Sequence, residues 1–334
     1  MRQYLLPPDK PFYKANLHCH SSVSDGKFTP AELKKAYMAR GYSIIAYTDH
    51  EILISHNDLS DESFLALNGY EYELIEDKSE VKNQNRLRKA CHLCLIALEP
   101  DNLRHVCWHG LIWGNAPQYL DQADFDRESP PYVPVYSGEG VTEVIQAARE
   151  AGFFVTYNHP AWSMEDMADI VNYHGMNALE IFNTNTAIRG WEAHCPYIYD
   201  SMLRRGKRIG CVAADDCHRS EHFFGGWTMI AAENLEYRTV TRAMERGDYY
   251  ASTGPEILGL WYEDGRIYVK CAEKATIKAN YGSRNAEMHH EVWETSFPVR
   301  PDDIFVRISV TDDRGRVANT RGYFIDEFYT KQED

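Results

Sequence analysis
The order of apolar and polar positions divides the chain into two textures. Up to about residue 250, short apolar runs alternate with segments of helical spacing. The runs at 14–18, 43–47, 65–74, 91–98, 153–157, 178–182, 209–214 and 227–232 read as strands. Between them, Thr29, Pro30 and Glu32 form the N-terminal signature of a helix that Gly41 stops. Further helices are predicted over 141–151, 191–205 and 235–246, the first two ended by Gly152 and Gly206. In Gly69-Tyr70-Glu71-Tyr72-Glu73, alternation places both glutamates on one face and both tyrosines on the other. Residues 76–90 are highly charged and read as an exposed excursion. Residues 99–134 are rich in aromatics and carry little periodicity, as expected of an insertion or a lid. Past Ser252, short alternating segments are punctuated by Asp264-Gly265 and by Asp312-Asp313-Arg314-Gly315. The expected organisation is an α/β barrel over 1–252, with the insertion at about 99–134, followed by a small antiparallel β subdomain over 253–334.

Composition narrows the functional classes. The formal net charge is −15, which disfavours a bulk electrostatic grip on long nucleic acid or an anionic membrane. A small phosphorylated substrate stays compatible with that charge, because metal ions reverse the field within one pocket. No apolar run has membrane length and the first 14 residues hold no signal-type core, so a soluble, cytoplasmic protein is expected. The eight cysteines are scattered through apolar stretches, as reduced buried thiols would be; Cys91 and Cys94 form a CxxC with no second pair, which argues against a zinc ribbon.

Candidate chemistry sits just past the predicted strands. His18-x-His20 projects two imidazoles to one side, and the Ser24-Asp25-Gly26 turn brings a carboxylate back toward them. His50, His159, Asn183, and Asp216 with His218 occupy equivalent places at other strand ends. On a barrel of parallel strands those ends converge on one rim. Imidazole and carboxylate donors together suit Zn, Mn or Fe.

His18-x-His20 with Ser24-Asp25-Gly26, Thr48-Asp49-His50, Gly69-x-Glu71, His92, Asn158-His159-Pro160 and Asp216-x-His218 together resemble, in order, the motifs of the polymerase and histidinol phosphatase (PHP) family. The resemblance covers roughly residues 14–230, and the tail is similar to the β-rich extension of uncharacterised phosphoesterase-like members. It implies a distorted seven-stranded TIM-like (β/α) barrel and two or three divalent metal ions. One metal is expected on His18, His20, Glu71 and Asp216, and a second on Glu71, His92 and His159. The third is expected on Asp25, His50 and His218. Asp25, Glu71 and Asp216 are thereby the catalytic carboxylates, and Glu71 is preferred over Glu73 by motif position. The implied reaction is hydrolysis of a small phosphomonoester, such as a nucleotide or sugar phosphate, by a hydroxide bridging the metals. Arg219 is the first candidate for a phosphate clamp, ahead of Arg189 and Lys27. His222 or His194 is a candidate proton donor to the leaving group. Asp49 is either a brace for a neighbouring histidine or a turn acid, and Asp215 a supporting residue. The alternatives are a C–N hydrolase of the amidohydrolase type and a metal-bearing scaffold without catalysis.

Overall fold
The structure, a computed structural model, describes residues 2–79 and 87–329. Residues 80–86 of the charged excursion expected at 76–90 lie outside these residues. The described part is a mixed α/β arrangement on one large sheet.

In chain order the strands of the first two-thirds are β1 (Gln3–Tyr4), β2 (Phe12–Asn16), β3 (Ile44–Tyr47), β4 (Leu65–Ile75), β5 (Ala90–Ala97), β6 (Phe153–Tyr157), β7 (Ala178–Asn183), β8 (Gly210–Ala214) and β9 (Trp227–Ala231). The helices among them are α1 (Pro30–Met38), α2 (Gly138–Glu150), α3 (Met167–Ile170), α4 (Thr184–Ile188), α5 (Pro196–Arg204) and α6 (Tyr237–Arg246). The remaining strands are β10 (Tyr249–Ser252), β11 (Ile257–Glu263), β12 (Arg266–Tyr281), β13 (Ala286–Pro298), β14 (Phe305–Thr311), β15 (Val317–Thr320) and β16 (Tyr323–Phe324).

Strands β2, β3 and β4 pair in parallel, as do β6, β7 and β8. Between these blocks β5 runs antiparallel to both neighbours. On the other side of β2, β9 is antiparallel, and the ladder continues through β10 into the antiparallel strands of the tail. This differs from the expected ring of strand and helix units. The ladder is not closed, and β2 and β8 do not pair as strands. Their extensions meet at an isolated parallel bridge between Cys19 and Cys217. β8 reaches β9 through residues 215–226, which carry a 3-10 turn at Ser220–His222, and β9 pairs with β2 and β10 rather than with β8.

Local sequence accounts for the elements. At α1 the Thr29 side chain accepts from the Glu32 amide and the Glu32 carboxylate accepts from the Thr29 amide, with Pro30 at the first helical position. Leu33 and Tyr37, one turn apart, are the face it buries. Helix α5 starts at Pro196 rather than at the expected residue 191, because proline restrains the residue before it from the helical region. Strand β4 is buried along nearly its whole length, with layers on both faces. Its tyrosines take the face opposite the glutamates: the Tyr72 hydroxyl donates to the Cys107 carbonyl at 3.0 Å, and the Val106 amide donates to the Tyr70 hydroxyl at 3.1 Å.

Those bonds dock the 99–134 segment, which has one short 3-10 turn (Ala116–Tyr119) and otherwise irregular backbone. Its aromatics divide between two roles. Trp108 stacks on Phe125, and Tyr119 and Tyr132 pack against hydrophobic clusters, whereas Trp113 reaches His50. Gly114 has φ +52° and lies so close to Ser24 that a Cβ would sit 2.2 Å from its carbonyl oxygen. His105 pins the segment from within. Its Nε2 accepts from the Leu53 amide at 2.8 Å and its Nδ1 lies 3.1 Å from the Asp124 carbonyl, a pattern that only neutral imidazole satisfies.

Burial lowers the His105 pKa to about 4. Between that value and the unfolded value of about 6.5 the unfolded chain binds the extra proton, so this contribution is complete above pH 6.5 and is lost as pH falls toward 4. We expect denaturant unfolding to show roughly 2 kcal/mol of stability lost between pH 7 and pH 5 through this group. In His105→Gln that part of the pH dependence should vanish; an unchanged slope would contradict the assignment.

Candidate metal centre
The ends of β2 and β8 are zipped side by side. The His20 amide donates to the Cys217 carbonyl and the Asp216 amide to the His18 carbonyl, each at 3.0 Å. Extended backbone alternates, so Cys19 and Cys217 turn into the apolar layer beside Leu33 and Tyr37, with their sulfurs 3.0 Å apart. His18, His20 and Asp216 thereby share the opposite side. Register does the same for β4 and β5: Glu73 lies opposite His92 and Glu71 opposite Cys94. Because β5 is antiparallel, His92 near its start lies at the same rim as the C-terminal ends of the parallel strands.

Glu71 is the centre of the cluster. Its Oε1 lies 3.1 Å from His18 Nε2 and 3.2 Å from both His92 Nδ1 and His159 Nε2. Its Oε2 lies 3.2 Å from His50 Nδ1 and 3.3 Å from His20 Nε2. Asp216 Oδ1 is 3.2 Å from His20 Nε2 and 3.5 Å from His218 Nδ1. Asp25 completes the outer side, 3.5 Å from His218 Nε2 and 4.0 Å from His50 Nε2. All nine residues expected as ligands are thus in one place. Their donor atoms group as His20, Asp25, His50 and His218; as His18, His159 and Asp216; as His18 and Glu71 with Cys94; and as His50, Glu71 and His92. The groups overlap: His20 falls in with the outer residues, while its Nε2 also lies 3.3 Å from Glu71 and 3.2 Å from Asp216.

Supporting side chains fix these donors. His18 Nδ1 faces Glu180 Oε1 at 3.1 Å, and Glu180 Oε2 accepts from the His159 amide at 2.9 Å. Glu73 Oε2 lies 2.9 Å from His92 Nε2. Asn158 donates to Glu71 Oε1 and to Cys94 Sγ, both at 3.0 Å, and Asn185 donates to Asp216 Oδ2 at 3.1 Å. Asp49 does not brace a histidine: it accepts from the amides and hydroxyls of Ser21 and Ser24, which holds the turn presenting Asp25. In that turn a Cβ on Gly26 would sit 2.4 Å from the His20 carbonyl oxygen, so only glycine fits. Two of the donor residues are themselves in unusual backbone, His159 at φ 24° and Asp216 at φ 51°.

Electrostatics follow from burial plus proximity. Burial alone would raise the Glu71 and Asp216 carboxyls, yet the imidazoles, His18 foremost, hold both well below the usual carboxylate range. Burial works against protonated His92, but Glu71 and Glu73 overcome it and push the ring up to about 10. His50 and His218 go the other way, lowered by burial and then by His20. The donors fit metal cations on a specific observation. Glu71 Oε2, His50 Nδ1 and His92 Nδ1 are buried and have no hydrogen-bond partner, although each ring nitrogen lies 3.2 Å from a Glu71 oxygen. These three atoms face shared space rather than aligning with one another, as ligands of one ion do.

The cluster floors a cavity of about 260 Å³. Lys27, Arg189, Arg219 and His222 also line it, so the candidate clamp residues and one candidate proton donor are in reach of the donors. His194 is not: its Nε2 accepts from Asn319 at 3.1 Å in a separate recess, which removes it as the proton donor. Trp113 and Trp162 form two walls, Trp162 with its ring 5.0 Å from His92 and 5.1 Å from His159. Trp162, Glu180 and Asn185 escaped the sequence reading, Glu180 leaving a signal as a carboxylate inside an apolar strand; Asn158 entered it only within the Asn158-His159-Pro160 motif and Cys94 only within the CxxC.

No family model matches the chain, and no curated protein matches it. Among solved structures it is similar to a two-domain protein from Bacteroides vulgatus containing a predicted PHP-like metal-dependent phosphoesterase, at 13% identity and TM-score 0.48 over 92% of this chain and 94% of that one. It is also similar to a candidate metal-dependent phosphoesterase from Bifidobacterium adolescentis, at 18% identity and TM-score 0.40 over 72% and 98% of the two chains. A third, an amidohydrolase from Chromobacterium violaceum with bound sulfate and no metal, has 14% identity and TM-score 0.37 over 61% and 87%.

The supporting role of Asp215 is testable. Fully buried, it accepts from the Tyr37 and Thr184 hydroxyls and from the amides of Phe224, Gly225 and Gly226. Asp215→Ala strands these donors, and urea unfolding is expected to show about 4 kcal/mol of destabilisation. A loss under about 1 kcal/mol would mean that the network is not needed to hold the Asp216 segment.

Proposed function
We propose that this protein is a metal-dependent hydrolase of phosphate esters, acting on a small phosphomonoester. The observation that carries the reading is Glu71 surrounded by five imidazoles within 3.3 Å, with unpartnered donor atoms facing shared space, beneath a rim of basic side chains. The proposed ligands are His18, His20, Asp25, His50, Glu71, His92, His159, Asp216 and His218, holding two or three divalent ions of the Zn, Mn or Fe type. Bound there, such ions would supply charge stabilisation for a phosphoryl group and acidify a water molecule for attack.

The chain's own residues have the remaining tasks. Arg219, exposed and with no carboxylate partner among the described residues, is placed to meet phosphoryl oxygens at the mouth of the cavity. Arg189, held by Asn185 at 2.9 Å, and the exposed Lys27 line the same cavity. His222, whose Nδ1 accepts from the His218 amide at 3.3 Å, keeps its other nitrogen for a proton to the leaving group. Trp113 and Trp162 bound the space left for the ester's organic part. The same reading covers the fold: the Cys19–Cys217 bridge is the place where strands β2 to β8 would complete a distorted seven-stranded barrel, with residues 253–334 as a separate β-rich subdomain.

Basic side chains around an acidic donor cluster favour a phosphate ester over an amide, which needs no such rim. With 4-nitrophenyl phosphate and 4-nitroanilide substrates in Zn, Mn and Fe, phosphoester cleavage alone is expected. Arg219→Ala should lower kcat/KM about 10- to 100-fold without lowering metal content. Amide cleavage with no phosphatase activity would replace the proposal by the C–N hydrolase reading.

A further inference from the structure
A larger cavity, of about 630 Å³, opens at the other end of the parallel strands. Strands β6 and β8 begin there, at Phe153 and Gly210, and run from it to the segments that carry His159 and Asp216. Its lining is strongly cationic in a chain whose net charge is −15: Arg149, Arg205, Lys207, Arg208, Arg246 and Arg321 stand against only Glu245 and Glu327.

The carboxylates nearby are committed. Arg321 takes both oxygens of Glu327 at 3.0 and 2.8 Å, Arg208 takes Asp326 at 2.6 Å and Arg246 takes Asp248 at 2.7 Å. Glu245 pairs with Arg238 at 2.5 Å. Arg149, Arg205 and Lys207 have no carboxylate partner among the described residues. Arg205 has only the Ser201 carbonyl, at 3.4 Å, and the Lys207 amine meets the Tyr173 carbonyl and His174 Nδ1. The Lys207 pKa is lowered by burial and then by Arg205, so these cations disfavour one another.

A plainer explanation is that they complement the carbonyl ends of α2, α5 and α6. Each helix end carries roughly half a negative charge, so the three ends offset about half of three full positive charges. An excess of positive potential is left in a concavity of the size small ligands occupy, and Phe154, Met244 and Tyr249 give it an apolar side.

We propose that this cavity is a second binding site, separate from the metal centre, for a compact, multiply phosphorylated small molecule. Three cations without carboxylate partners, Arg149 in the last turn of α2 and Arg205 and Lys207 just past α5, match several phosphate charges better than one. The proposal does not depend on the hydrolytic reading of the opposite rim.

The test is hydrogen exchange of the intact protein with and without inorganic pyrophosphate at low ionic strength. Protection is expected in residues 174–177 and 205–210, at least tenfold slower exchange at saturation, and it should disappear in Arg149→Glu and in Arg205→Glu. Both side chains are exposed, and thermal melting checks that each variant is folded. The protection should persist in Arg219→Ala, which alters only the opposite cavity. Protection confined to the metal-centre segments, none at all, or equal protection in both charge reversals would overturn the proposal.

Discussion
Everything at the rim depends on one buried carboxylate. Glu71 has five imidazole nitrogens within 3.3 Å of its oxygens and is 1% exposed, so water cannot distribute that charge. Such a density of donors is stable only if the rings are held in place by other groups and their lone pairs meet positive charge. The structure provides the first in detail: Glu180 holds His18, Glu73 holds His92, and Asn158 holds Glu71 itself. The second is what makes metal ions the natural occupants.

The backbone serves the same end. Bonds between the His18–His20 segment and the Asp216–His218 segment bring two ligand pairs together although almost 200 residues separate them. Alternation sends each intervening cysteine inward, which anchors both segments in the apolar layer. The reversal of β5 is equally consequential, since a parallel strand in its place would carry the start of the strand, and His92 with it, to the far end of the sheet.

Much of this was legible in the sequence, for identifiable reasons. The α1 capping box, the alternation of Glu71 and Glu73 against Tyr70 and Tyr72, and the ligand types past successive strands are local signals, and short-range geometry preserves them. Strand direction is not local: the period of two in β5 and β9 is the same in either direction, so their antiparallel pairings left no trace. Glu180, Asn158 and Trp162 act through contacts with residues distant in sequence, so their partners could not be read from the chain. His194 shows the converse error, a residue named for its chemistry whose contact with Asn319, distant in sequence, places it in another recess.

Charge is distributed unevenly for a chain of net −15. Basic side chains gather at both ends of the parallel strands, around the donor cluster and around the larger cavity opposite. At the first end their charge lies above buried carboxylates, an arrangement that serves an anionic substrate only once those carboxylates are neutralised. Elemental analysis of the purified protein therefore addresses the central claim most directly. The account predicts two or three equivalents of Zn, Mn or Fe per chain, falling by at least one in Glu71→Gln at unchanged secondary structure. A wild-type chain that holds no metal, and takes up none when Zn, Mn or Fe is added, would contradict it.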